Sequence, residues 1–183
     1  MRTVLALFFI LFTTFINAQN DSKNSDAYVK RLVNLIRENN NNRIKSMSYI
    51  QEALRFEKEI ADSTRIELYV TAGNCYKDQE SYYLALSYYY KALEIKNEKE
   101  SNRSFSILNN IGGCYYFMGN YKKARYFWES ALKKFESNKS SQNVEGSLIY
   151  NNLAVLEKEH GNYARALEML KEFLKRNEKL KDT

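Results

Sequence analysis

The chain has 183 residues, a formal charge of +6, 44% hydrophobic and 14% aromatic residues, six Gly and no Pro. So few breakers, abundant Leu, Ala, Glu, Lys and Tyr, and no alternating β-branched runs exclude a sheet-built body and point to an all-α one. The charges are mixed, as in Lys96-Asn97-Glu98-Lys99-Glu100, so the basic stripe of a nucleic-acid surface is missing and no nucleic-acid partner is expected.

Met1-Arg2 give a short positive start, Val4 to Ile16 an apolar run broken only by Thr13-Thr14, and Asn17-Ala18-Gln19-Asn20 a polar exit containing a small residue. That layout predicts a secretory signal peptide over residues 1–18, cut after Ala18. The apolar run of about 13 residues falls short of the ~20 that a membrane-spanning helix needs, and an uncleaved anchor is the alternative. An exported protein, periplasmic or secreted, is expected, with no stable membrane insertion once the signal is removed. Residues 19–25 are read as a flexible lead into one helical domain over residues 26–180. No linker long enough to divide that domain occurs.

A degenerate helix pair is expected over residues 27–60, with Tyr28 to Glu38 and Arg43 to Ile60 separated by the turn Asn39 to Asn42. A skeleton of small and aromatic residues then returns three times. Gly73-Asn74-Cys75-Tyr76 precedes Tyr82, Ala85, Tyr89 and Ala92; Gly112-Gly113-Cys114-Tyr115 precedes Gly119, Tyr121, Ala124, Trp128 and Ala131. Leu153-Ala154 precedes Gly161, Tyr163, Ala166, Leu170 and Phe173. Ala85, Ala124 and Ala166 recur at intervals of 39 and 42 residues, the mark of stacked units that bury their apolar faces against one another. Each unit reads as two helices, with apolar residues three and four apart. The small residues let backbones cross closely. Gly119-Asn120 and Gly161-Asn162 are expected to end one helix and open the next, Gly taking the left-handed conformation and Asn capping. Repeats at about 66–97, 105–138 and 147–180, with the degenerate pair, give an all-α superhelical solenoid of about four antiparallel helix pairs.

These residues resemble the tetratricopeptide repeat, with its aromatic–Leu–Gly–Tyr series on the first helix and Ala–aromatic–Ala on the second. The likeness covers residues 26–180. It is strongest in the second repeat and weakest in the third, where Ala154 stands for the Gly, Glu157 for the Tyr and Phe173 for the last Ala. The usual unit has about 34 residues and ends in Pro; this one is longer and has none. Long units with Asn-Asn-Leu-Ala, here Asn151-Asn152-Leu153-Ala154, are similar to the kinesin-light-chain-like subgroup, in an exported bacterial form. Comparable repeats also precede kinase or DNA-binding domains in bacterial regulators. Nothing of that kind follows Thr183, so a sensory or regulatory module lacking its output domain is one alternative, and an envelope scaffold another.

The resemblance implies a concave groove, lined by the first helices, that holds a peptide or protein partner. Its lining would be Asn74 and Lys77, then Asn109, Asn110, Tyr116 and Phe117, then Asn151, Asn152 and Lys158. An Asn amide both donates and accepts, matching the paired groups of a peptide backbone. Tyr116 beside Gly113 offers an aromatic wall next to a gap. The charged clamp some relatives use for a C-terminal carboxylate is in doubt, because Val70 and Leu148 replace two of its positions. Tyr83 and Tyr90 read as an outward stripe that could serve self-association. Cys75 and Cys114 occupy equivalent positions on stacked helices, about 8–10 Å apart, too far for a disulfide. The one histidine, His160, sits at a turn; no metal-ligand spacing, phosphate loop or nucleophile–base set occurs. No enzyme, no metal and no cofactor is expected.

Overall fold

A computed structural model describes residues 24–95, 104–137 and 144–181. The signal peptide expected at residues 1–18 lies outside them, as do residues 19–23. Among the described residues there are eight helices and no strand. They are α1 (24–38), α2 (Arg43–Leu54), α3 (Asp62–Asp78), α4 (Tyr82–Glu94), α5 (Ser104–Phe117), α6 (Tyr121–Ser137), α7 (Val144–Glu159) and α8 (Tyr163–Lys181). The pairs α3–α4, α5–α6 and α7–α8 pack most extensively, while α4 rests on α5 and α6 on α7. First helices also meet first helices, α3 with α5 and α5 with α7. The result is a solenoid of helix pairs with the first helices along its inner wall.

The first pair departs from expectation at both ends. Residues 24 and 25, read as flexible, open α1: Ser25 is buried and donates to Glu59 Oε2 at 3.0 Å. Helix α2, expected to reach Ile60, stops at Leu54. Beyond it the amides of Arg55, Phe56 and Glu57 donate to carbonyls only three residues back. This tightening brings Ile60 into the core and sets Phe56 edge-on against Tyr28, at 5.4 Å between ring centroids.

Every full repeat closes its hairpin in the same way. The amides of Ser81, Asn120 and Asn162 reach back to the carbonyls of Tyr76, Tyr115 and Glu157 at 2.8, 2.8 and 2.9 Å. Such a six-to-one bond needs a left-handed residue just before it. Gly119 (φ 74°) and Gly161 (φ 78°) supply it, and in the first repeat Glu80 does so at φ 59° without being glycine. Asn120 caps α6 by accepting from Lys123 N at 3.1 Å.

Glycine matters differently where the helices cross. A Cβ on Gly73 would stand 2.6 Å from Tyr89, and one on Gly112 would stand 2.5 Å from Trp128. Both aromatics therefore lie in the notch a missing side chain leaves. In the third repeat Ala154 and Leu170 occupy the equivalent positions, a larger residue facing a smaller one. Gly73 to Ala85, Gly112 to Ala124 and Ala154 to Ala166 are each 12 residues apart. The variation in period thus lies wholly between repeats, around residues 96–103 and 138–143, which are outside the described ones.

Candidate functional site

The inner wall holds an asparagine ladder that crosses three repeats. Asn110 Nδ2 donates to Asn74 Oδ1 at 3.1 Å, and Asn152 Nδ2 donates to Asn109 Oδ1 at 2.8 Å. Asn74 Oδ1 also accepts from the buried Tyr89 hydroxyl at 2.6 Å, and Lys77 Nζ donates to Asn110 Oδ1 at 3.4 Å. Trp128 Nε1 donates to Asn109 O at 3.0 Å. Adjacent asparagines serve different neighbours because residues one apart on a helix point about 100° from each other. Asn109 turns to α7 and Asn110 to α3.

Above this ladder lies a groove of about 410 Å³ lined by Lys77, Asn109, Asn110, Gly113, Tyr116, Phe117, Trp128, Leu148, Asn152 and Val155. A Cβ at Gly113 would meet nothing within 4 Å, so the gap beside Tyr116 is real. The Tyr116 hydroxyl donates to Glu159 Oε1 at 2.5 Å. That bond, then burial and the Glu159 charge, push its pKa up to about 12, so the hydroxyl stays protonated as a donor at neutral pH. Tyr82 stacks on the exposed Phe117 at 5.7 Å, and Phe117 forms the rim. Among the described residues Lys77 has no ion-pair partner, and its ammonium lines the groove while donating to the Asn110 amide oxygen.

Lys77, Asn109, Asn110, Tyr116, Phe117 and Asn152 thus come together in one concavity. Asn74 lies behind them, joined through Asn110. Asn151 and Lys158 do not line the groove; Lys158 is exposed on α7. Sequence reasoning missed Trp128, whose core position hides an indole edge that reaches the inner wall, and gave Leu148 no lining role. The Tyr83–Tyr90 stripe does not form. Tyr83 is exposed, but Tyr90 is half-buried, with its hydroxyl 3.2 Å from that of Tyr115 and its ring edge-on to Phe127.

Not every carboxylate lies on a solvent face. Glu157 is fully buried and bonded to Arg125, with Arg165 Nε at 3.4 Å and Asn162 Nδ2 donating at 2.7 Å. The Arg125 hydrogen bond holds its pKa below the usual carboxylate value despite burial. His160 Nδ1 lies 2.7 Å from Leu156 O, and its ring is edge-on to Tyr121 at 6.0 Å. Cys75 and Cys114 are buried free thiols. Burial pushes the Cys114 pKa up to about 11, which keeps it an unreactive packing residue. Among the described residues no group of His, Cys, Asp or Glu could hold a metal ion, and no helix is long and apolar enough to cross a membrane.

Helix pairs stacked at near-constant period around an amide-lined inner wall define a helical-repeat scaffold. The tetratricopeptide repeat model matches residues 64–137 and 103–179, and the chain belongs to that family. Two solved structures of kinesin-light-chain-type proteins share its fold. BtubC (BKLC) from P. vanneervenii superposes with a TM-score of 0.73 at 20% identity, over 90% of this chain and 72% of that one. A putative kinesin light chain of Podospora anserina, with nearly identical repeats, gives 0.52 at 12% identity over 94% and 97%. These likenesses concern the fold. No curated protein matches the chain.

Proposed function

We propose that this tetratricopeptide repeat protein is an exported, non-catalytic interaction module that binds a peptide or protein segment in the groove between α3, α5 and α7. Repeats of this family are protein-interaction scaffolds in general. The observation that carries the finer reading is the groove itself. Its amide floor (Asn109, Asn110, Asn152), its apolar walls (Tyr116, Phe117, Leu148, Val155) and a lysine without an ion-pair partner suit an extended chain with both backbone groups and side chains to place. Export rests on the pattern of residues 1–20. It predicts a mature N-terminus at Gln19, which mass spectrometry of the protein recovered from its native envelope would read; a form retaining Met1 would contradict it.

The groove is testable without knowing the natural partner. Peptides selected from a random displayed library against the folded protein provide probes whose affinity can be read by fluorescence anisotropy. Asn110→Ala/Asn152→Ala is expected to weaken them at least about tenfold, since each lost amide removes hydrogen bonds worth about 1 kcal/mol. Unchanged affinity in a folded double variant overturns the groove assignment.

A further inference from the structure

The last helix leaves open a face that the two preceding repeats bury or half-bury over most of its length. Leu167, Leu170 and Leu174 lie 42 residues after Arg125, Trp128 and Leu132, which in turn lie 39 after Leu86, Tyr89 and Leu93. In the inner repeats these positions are covered: Leu86 is 6% exposed, Tyr89 and Trp128 are buried, and Arg125 is bonded to Glu157 of α7. On α8 the same lattice points are open, with Leu167 53% and Leu174 56% exposed. Tyr163 extends the row. Residues 163, 167, 170 and 174 are four, three and four apart, the spacing of a seam along which one helix packs on another.

We infer that this seam is closed by a second copy of the chain, α8 against α8 about a two-fold axis. The opposite end of the solenoid argues for this choice. The exposed positions of α1 are largely polar, including Lys30, Arg31, Asn34, Arg37 and Glu38, and its exposed Tyr28 is already held by Glu52 and Phe56. Stacking one copy's beginning on another's end would set that polar surface on leucines. Of these two arrangements the like-on-like contact is the one that places apolar on apolar, and a two-fold contact closes at two copies. Antiparallel docking that layers Tyr163 on Leu174 of the partner subunit, and Leu167 on Leu170 of the partner subunit, fills four layers with apolar side chains. It also sets Lys171 near Glu168 of the partner subunit, opposite in sign. A 19-residue helix offers a contact about 28 Å long, smaller than a standard interface, so the dimer is weak, with a Kd on the order of 10 µM.

Sedimentation equilibrium of the chain from Gln19 onward, the mature form proposed above, from about 1 to 200 µM tests this, because mass action must shift the population across that range. The mean mass is expected to rise to twice the monomer value and stop there. Leu167→Glu/Leu174→Glu, with helicity checked by circular dichroism, is expected to weaken association more than about tenfold, and the milder Leu167→Ser to weaken it less. Tyr83→Ala, on an exposed residue away from the seam, is expected to change nothing. A mass fixed at the monomer value, growth beyond two copies, or a dimer unaffected by both seam variants overturns the inference.

Discussion

The first two full repeats and the third hold their helices together by different means. In the former an aromatic ring lies over a glycine notch, Tyr89 over Gly73 and Trp128 over Gly112. Beside each notch a second pair stacks almost parallel, Tyr76 on Tyr88 at 5.4 Å and Tyr115 on Phe127 at 5.4 Å. In the third repeat Leu170 and Ala154 take the notch positions, and Glu157 and Met169 those of the stack. The aromatic pair is replaced there by a buried carboxylate tied to Arg125, Arg165 and Asn162. One lattice therefore tolerates two solutions: surface burial with aromatic stacking, or an ion cluster that spans α6, α7 and the start of α8. The second recruits Arg125 from the preceding repeat, and so couples neighbouring units through charge as well as contact.

The largest effect is expected where the notch is filled. Gly112→Ala should cost about 3 kcal/mol in urea unfolding, because the ring of Trp128 must move. Adding Trp128→Leu, which recreates the pairing of the third repeat, should recover at least about 1 kcal/mol of what the two single changes would sum to. Additivity would show that ring and notch are not coupled.

The ion cluster comes next. Glu157→Ala should cost about 2 kcal/mol by leaving the half-buried Arg125 with only the more distant Glu129 carboxylate, at 3.9 Å. Because the folded pKa of Glu157 is depressed, its contribution is full above the unfolded value of about 4.3 and fades as pH falls below it. The urea midpoint of wild type should then drop more between about pH 5 and pH 3 than that of Glu157→Gln. Parallel pH profiles would remove the cluster from the account.

Smaller changes probe the same contrast from the other side. Ala154→Gly should destabilise by about 1 kcal/mol, as any glycine in a helix does, since Leu170 has no ring to fill the notch. Glu80→Gly should stabilise by about 0.5–1 kcal/mol, because the left-handed turn position (φ 59°) is occupied by glycine in the other two repeats. Loss of stability on that change would mean the Glu80 side chain holds the turn.

What could be read from the sequence was whatever repeats at helical spacing. The period, the helix pairs and the Gly119 and Gly161 turns follow from residues close along the chain. So does most of the inner wall, since Asn109, Asn110 and Asn152 sit at fixed offsets from the small-residue skeleton. Contacts that join distant residues of unlike type left no local trace. Glu157 interrupts an aromatic column, and its partners Arg125, 32 residues earlier, and Arg165 and Asn162 explain together why a carboxylate can be buried there. Tyr90 faces outward by helical count, yet the neighbouring α5 covers it through Tyr115. Trp128 serves the core and the groove at once, a double role that residue type alone does not reveal.

The binding groove is the claim on which the functional reading stands, and one spectrum series tests it most directly. A ¹⁵N-labelled sample titrated with a library-selected peptide reports on each asparagine side-chain amide separately. The amides of Asn109, Asn110 and Asn152 and the indole N–H of Trp128 are expected to shift together and saturate at one affinity, while residues of α8 stay still. Saturable binding that moves α8 or the outer helices and leaves those four groups unshifted would contradict that claim.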